Sequence, residues 1–468
     1  MPTVISRLFS VESLIKPDRR LGPLPGTKDA YRELLHIALP SVAEMLMVSL
    51  VGSIDTMMVG RLGPEAIAAV GLTTQPRMLL LAVFMALNTG VTAIVARRKG
   101  EGRREQAQLT LRNASVLILI IAAILMIPSI WAAQPLMLLA GAQADTLADA
   151  TVYFQILALV LPINALTMAI CAAQRGIGNT RITMVVNIVA NLVNVVFNFF
   201  LIEGNWGFPR LGVAGAAIAT AIGFTVGLVL SLLSIAHRDS FLHLKLRASW
   251  RLHPDILRSI VNVGGNAALE QVAMRIGFFV FARIVADLGT IAFATHQICM
   301  QFLNITFTFA DGIGVAGTSL VGQYLGKKRP DLSVVFGKIS QRIAMVVSLA
   351  LLSVLIILRE PLVAIFNTDP EILALGSQIM IVVALFQPFQ TSSVVISGCL
   401  RGAGDTRYVA RIMLMCVTGI RPLASVLMVY VFHAGLLGAW LSSLLDMSIR
   451  VVCVYTRFAS CKWFDIEV

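Results

Sequence analysis

The chain has 468 residues, of which 57% are hydrophobic and 13% charged, against roughly a quarter charged in an ordinary soluble domain. A water-soluble globule is thereby excluded: an apolar helix of about 20 residues crosses the hydrocarbon layer, and this length holds roughly ten to fourteen of them. Lys and Arg outnumber Asp and Glu by 37 to 25, a net charge of +12, which suggests nucleic acid only until the cations are placed along the chain.

Residues 1–32 are mixed and polar, with Pro23, Pro25 and Gly26 before the first apolar run, so a lead-in segment is expected rather than a cleavable signal. Twelve apolar segments follow, at 33–60, 66–96, 109–132, 147–171, 182–203, 213–236, 257–284, 291–325, 340–358, 371–399, 409–432 and 436–456. No alternating strand pattern of about ten residues recurs, so helices and not a barrel satisfy the backbone. The expected fold is an all-α polytopic membrane protein with twelve transmembrane helices. Its parts are the segment 1–32, a six-helix lobe 33–236, a linker 237–256 carrying Arg238, Lys245, Arg247 and Arg251, a second six-helix lobe 257–457, and a tail 458–468.

With both termini in the cytoplasm, 29 of the Lys and Arg residues fall on the cytoplasmic side. Four (Arg61, Arg210, Arg283 and Arg359) fall opposite, and four (Arg77, Arg275, Arg421 and Arg450) lie inside spans. This asymmetry fixes the orientation and explains the basic charge with no nucleic acid. The six cysteines show no CxxC or Cys/His spacing and read as packing residues, so no metal site is expected from them.

An internal repeat links the two lobes. Pro162, Arg175, Gly176, Gly178, Thr180 and Arg181 recur 226 residues later as Pro388, Arg401, Gly402, Gly404, Thr406 and Arg407. The same offset takes Glu44 to Glu270, and near the end an offset of 223 takes Gly212, Gly215 and Ala216 to Gly435, Gly438 and Ala439. Six spans per copy is an even number, so the copies are parallel and related by a pseudo-two-fold along the membrane normal, an arrangement suited to a transporter with a midplane cavity.

Ionisable groups within spans are costly unless paired or wet, and each is a candidate for function. Asp55 lies in the first span. In the fifth, Asn187, Asn191, Asn194 and Asn198 line one helical face. Asn194 and Asn198, with Asp55 and Thr220, offer the oxygen ligands that Na⁺ takes, and the same carboxylate could instead take a proton. Glu44, Glu270, Asp311, Gln390 and Arg77 are candidates for a substrate cavity, Glu270 with Arg275 five residues on as a partner. Arg77 follows Pro76 and Arg421 precedes Pro422, which suits gating. Asp446 and Arg450 have ion-pair spacing. Pro40, Pro76, Pro162 and Pro388 are expected bend points. Gly402-Ala403-Gly404-Asp405 matches the Gly-x-Gly-Asp of intramembrane aspartyl proteases, yet its repeat copy ends in Asn179, so a turn is expected and not an enzyme.

Asp55-Thr56 followed by Val59-Gly60-Arg61-Leu62-Gly63, the paired Arg-Gly-x-Gly-Asn/Asp-Thr turns at Arg175 and Arg401, and Leu211-Gly212-Val213-Ala214-Gly215-Ala216-Ala217 stand in a telling order. In these the sequence resembles the multidrug and toxic compound extrusion (MATE) family of cation-coupled antiporters, over nearly the whole chain from about Leu34. The resemblance implies two six-helix lobes that export organic, often cationic and amphipathic compounds in exchange for Na⁺ or H⁺, with no other cofactor. It implies a monomer in the bacterial inner membrane, with small-molecule substrates and the lipid bilayer as its partners. By position, Asp55 looks like the first-helix aspartate of the family's N-terminal cation site, Asn194 like its fifth-helix asparagine and Thr220 like its sixth-helix threonine. Asn198 stands where some members have Asp. Glu270 resembles the seventh-helix glutamate of the NorM-like branch, but Gln390 replaces that branch's tenth-helix aspartate, and Arg421-Pro422 looks more like DinF-like members. A flippase for lipid-linked precursors is the alternative within related two-lobe transporters, for which Arg77, Arg275 and Arg421 are the few available cations.

Overall fold

The computed structural model describes residues 9–236, 240–243, 251–367 and 369–466. Half of the expected linker, with Arg238, Lys245 and Arg247, lies outside the described residues, as do residues 1–8 of the lead-in. The long helices are α1 (Thr27–Gly60), α2 (Pro64–Gly100), α3 (Arg104–Trp131), α4 (Leu147–Leu159), α5 (Leu161–Gly176), α6 (Thr180–Leu201) and α7 (Gly212–Ala236). After them come α8 (Pro254–Ala286), α9 (Thr290–Gly326), α10 (Pro330–Ile357), α11 (Pro370–Gly402), α12 (Thr406–Val431) and α13 (Gly435–Ala459).

Among the described residues, ten of these are long and apolar enough to cross a bilayer, and α4 with α5, bent by 50° at their junction, makes an eleventh. Pro162, at the start of α5, explains the break, because its ring denies the helix a hydrogen bond. The expected bends at Pro40, Pro76 and Pro388 differ: each lies inside a helix that continues past it. The twelfth expected span is α8, whose 33 residues exceed the length required. Its apolarity falls short because Glu270, Arg275 and Arg283 interrupt it together with Asn262, Asn266 and Gln271.

The chain forms two compact units, Ala43–Gly264 and Met1–Val42 with Gly265–Val468. The division falls inside α1 and α8 rather than before them, so the opening turns of each go with the other copy's residues. In the C-terminal unit, Ala30, Leu34, Ile37 and Ala38 of α1 are buried in one cluster with Leu320, Val335, Phe336 and Ile339, and Tyr324 Oη donates to Glu33 at 3.0 and 3.1 Å. In the N-terminal unit, the backbone N–H of His253, just before α8, donates to Asn113 Oδ1 at 2.8 Å.

The repeat is visible in backbone geometry, unit by unit. Two residues past the end of α5 stands Gly178 with φ 84°, and two past the end of α11 Gly404 with φ 91°, the left-handed conformation that favours glycine. In both turns the next N–H reaches back five residues, Asn179 to Gln174 O and Asp405 to Leu400 O, each at 2.9 Å, closing the helix as a Schellman motif does. Two residues earlier, Gly176 is held against the Thr92 carbonyl and Gly402 against that of Thr318, where an added Cβ has no room. The threonine hydroxyls complete the frame: Thr92 Oγ1 donates to Ala172 O at 3.0 Å and Thr318 Oγ1 to Gly398 O at 2.8 Å.

The copies diverge at their fifth helices. α6 is regular, whereas α12 carries π-helical turns at Leu414–Ile420 and Leu427–Val431 on either side of Arg421-Pro422. Proline removes a donor from the ladder, and widened turns accommodate the displaced carbonyls.

Candidate functional site

Three helices of the N-terminal unit, α1, α6 and α7, bring its oxygen cluster together. On α6, positions four apart share a face, so Asn187, Asn191, Asn194 and Asn198 form a continuous polar edge. The first two are tied back to their own helix: Asn187 Nδ2 donates to Thr183 O (3.0 Å) and Asn191 Nδ2 to Asn187 O (2.7 Å). Asn194 and Asn198 are buried and turn toward α1 and α7.

Asp55, half-buried on α1, accepts from Asn198 Nδ2 at 2.6 Å, a short charge-assisted bond. The Asn194 amide nitrogen donates to the two Asp55 oxygens at 2.8 and 2.9 Å, while its oxygen accepts from Thr220 N–H and Oγ1, both at 3.0 Å. The reverse orientation would set its oxygen against the carboxylate and its nitrogen against the Thr220 N–H, acceptor facing acceptor and donor facing donor. Asn198 Oδ1 is buried and without a partner among the described residues, so a further oxygen is available as a ligand. The cluster thus offers carboxylate, amide and hydroxyl oxygens around one point, a donor set that suits a hard monovalent cation or a proton.

These residues line a cavity of about 370 Å³, together with Arg77, Thr73, Tyr153, Asn164 and Phe224. Gly223 and Gly227 of α7 also line it, and they let α6 pack close: a Cβ on Gly223 would stand 2.7 Å from the Ala190 carbonyl oxygen, and one on Gly227 3.3 Å from Ala190 Cβ. The volume is at the small end for a ligand pocket. Arg77 sits on the wall with Asp55, and its buried Nε has no partner among the described residues.

The other expected cavity residues lie elsewhere. Glu44 is 5% exposed and accepts from Arg175 Nη1 (3.2 Å), Thr183 Oγ1 (2.7 Å) and Asn187 Nδ2 (2.8 Å). Glu270 is likewise buried and accepts from Arg401 Nη1 at 2.7 Å. Its partner is therefore the repeat-turn arginine and not Arg275, which is exposed: five residues along a helix place two side chains on different faces. Asp311 is half-buried on α9. Gln390 is buried on α11, its Oε1 unpartnered among the described residues. The expected Asp446–Arg450 pair is present at 2.8 Å, and Arg421 joins it at 2.7 Å. Asp405, of the protease-like motif, stands in the turn just before α12, where its side chain makes no capping bond and instead pairs with Arg457 at 2.6 Å, a turn residue held by one arginine with no second aspartate beside it among the described residues. All six cysteines are free thiols.

Sequence reasoning missed Tyr153, Asn164, Thr167 and Phe224 as cavity residues. Thr167 and Asn164 stand three apart on α5, directly after Pro162, and that polar pair beside a helix break was the available signal. It also missed the Glu44–Arg175 and Glu270–Arg401 pairs, although all four residues obey the 226 offset.

Comparison with known proteins agrees with this frame. The family model MatE matches twice, at residues 40–200 and 267–427, which is the repeat seen in the sequence. The chain is 27% identical over 442 residues to the uncharacterized transporter YisQ of Bacillus subtilis, covering 93% of this chain and 96% of that protein. It is 29% identical over 446 residues to the probable multidrug resistance protein NorM of Thermotoga maritima, covering 94% and 95%. A solved MOP superfamily transporter from Pyrococcus furiosus, 20% identical, superimposes with a TM-score of 0.85 over 92% of this chain and 97% of that one, and shows the same two-lobe, twelve-helix fold. The chain belongs to the MatE family, the multidrug and toxic compound extrusion transporters, and is a multi-pass membrane transporter and not an enzyme.

Proposed function

We propose that this protein exports organic, often cationic and amphipathic small molecules by antiport against H⁺ or Na⁺, from a bacterial inner membrane with both termini in the cytoplasm. The observation that supports this best is Asp55, a carboxylate on the wall of a cavity, ringed by Asn194, Asn198 and Thr220. Bacterial relatives bearing multidrug resistance names support the direction and the substrate class, and the one-sided placement of Lys and Arg supports the orientation.

In this reading, the cation or proton and the drug compete for the Asp55 cavity. Loading Asp55 neutralises its charge and weakens the bonds that the Asn194 and Asn198 amides donate to it. A cationic substrate stabilises the charged carboxylate instead. Exchange follows because each ligand binds the outward-open and inward-open forms with different affinity.

Purified protein in liposomes, given a fluorescent organic cation and either a pH or a Na⁺ gradient, tests the proposal and names the ion. Asp55→Asn should abolish gradient-driven flux while the protein still inserts and purifies as a monodisperse species. Flux that ignores every imposed gradient, or that survives Asp55→Asn, refutes it.

A further inference from the structure

The repeat allows the interior of one unit to be compared with the other, position by position. With the 223 offset of the last helix, the cavity-lining Gly223 and Gly227 correspond to Asp446 and Arg450, Thr220 to Ser443, and Ala217 to Trp440. With the 226 offset, Asp55 corresponds to Phe281 and Asn194 to Ile420, the residue before Arg421. The second copy therefore has no carboxylate and no amide where the first has its oxygen cluster, and charged side chains where the first has glycines.

Those side chains form a triad centred on one oxygen of Asp446, while Asp446 Oδ1 and Arg450 Nε are buried without a partner among the described residues. Arg421 donates from Nε and Nη2 to Asp446 Oδ2 at 3.0 and 2.7 Å, and Arg450 Nη2 donates to the same oxygen at 2.8 Å. All three residues are at most 5% exposed. The Arg421 guanidinium carbon lies 4.9 Å from the ring centre of Phe278 and 5.9 Å from that of Phe281, the residue standing at the Asp55 position. Two guanidiniums that do not deprotonate face one carboxylate, so the triad carries one excess positive charge. A mobile cation approaching Asp446, even at Oδ1, meets the charge of both guanidiniums.

We propose that Arg421 is a tethered cation which occupies the C-terminal unit's counterpart of the Asp55 site, so that this unit binds no exchangeable proton or Na⁺ at Asp446. The assignment rests on reading Asp55 as the coupling residue only for its consequence, one exchangeable cation per molecule. Arg421 is then a positioning residue: it fixes the charge of Asp446 and touches no substrate.

The test is infrared difference spectroscopy, acid minus alkaline, on the full chain in lipid, reading the C=O stretch of protonated carboxyls. Contributions from exposed acids are common to all variants and cancel between them. In an Asp55→Asn background with both arginines intact, Asp446 should contribute nothing. Adding R421Q and R450Q should make one new protonated carboxyl per molecule appear, and adding D446N should remove it again. Arg421→Lys with Arg450 retained should stay silent, because an ammonium also holds the carboxylate ionised. No new band on removing the arginines overturns the proposal. Should that variant not fold, radioactive sodium binding to the Asp55→Asn protein decides: no saturable binding supports the proposal, and saturable binding overturns it. A wild-type protein whose spectrum is unchanged by Asp55→Asn refutes the coupling role of Asp55, while the Asp446 result stands or falls independently.

Discussion

In the N-terminal unit Thr92 ties α2 to α5 by donating to a carbonyl 80 residues on, and in the C-terminal unit Thr318 ties α9 to α11 across the same separation. Glu44 holds Arg175 in one unit and Glu270 holds Arg401 in the other, each across 131 residues. Around these shared fastenings the interiors differ. One has glycines on α7 and a carboxylate among amides beside a cavity; the other has Asp446 and Arg450 on α13, locked to Arg421. The fastenings sit beside the Arg-Gly turns, where backbones touch and both copies meet the same steric demand. The differences sit one or more helical turns away, where side chains alone fill the space and each copy can take a separate role.

The largest effect that would sharpen this contrast is expected from Asp446→Asn. It leaves two buried guanidiniums without their anion, and breaking a buried pair in this way costs about 3–5 kcal/mol. Thermal unfolding in detergent should show a much lower midpoint. The same substitution should cost far less in a R421Q/R450Q background, where no charge is stranded. An Asp446→Asn protein that melts with the wild type would mean that the triad does not fasten α12 to α13.

A smaller and unequal effect is expected from the paired glutamates. The Glu44 carboxylate takes three donors, from Arg175, Thr183 and Asn187, whereas Glu270 takes that of Arg401. A hydrogen bond to a charged group contributes about 1.5–3 kcal/mol and a neutral one about 1. Glu44→Gln should therefore destabilise more than Glu270→Gln in the same unfolding assay. Equal losses would show that the arginine pair alone carries the contribution and that the α6 contacts to Glu44 add nothing.

Much of this was legible before any coordinates. Polar residues in apolar runs are conspicuous, so Asp55, Asn194, Asn198 and Thr220 could be grouped from helical spacing and depth, and the structure gathers all four. The offset of 226 residues exposed the parallel repeat. Partnerships that cross the fold were not legible, because spacing rules speak only of neighbours on one helix. They suggested Arg275 for Glu270, and Arg450 alone for Asp446. Arg401 and Arg421 reach their partners from other helices, and only packing brings them close. Likewise, Gly223 and Gly227 look like ordinary small residues in an apolar helix until α6 is seen packed against them, at the positions where the other copy carries Asp446 and Arg450.

The smallest expected effect tests the shared frame itself. Thr92→Val and Thr318→Val keep the shape of the side chain and delete the hydroxyl that donates to Ala172 O and Gly398 O. Each hydroxyl also reaches a carbonyl four residues back on its own helix, Asn88 O at 3.0 Å and Gly314 O at 2.9 Å, so what is lost is the share that crosses between helices. In a membrane protein such an interhelical bond contributes about 0.6 kcal/mol on average. Because Gly176 and Gly402 hold the two backbones in contact whether or not the hydroxyl is present, neither variant should lose gradient-driven flux. Both should shift unfolding by the same small amount, and the double variant by twice that, since the two sites lie in separate units and distant sites add. A clear inequality between the two single variants would show that the copies have diverged in their frame as well as in their interior, and the position-by-position comparison of Asp55 with Phe281 would lose its footing.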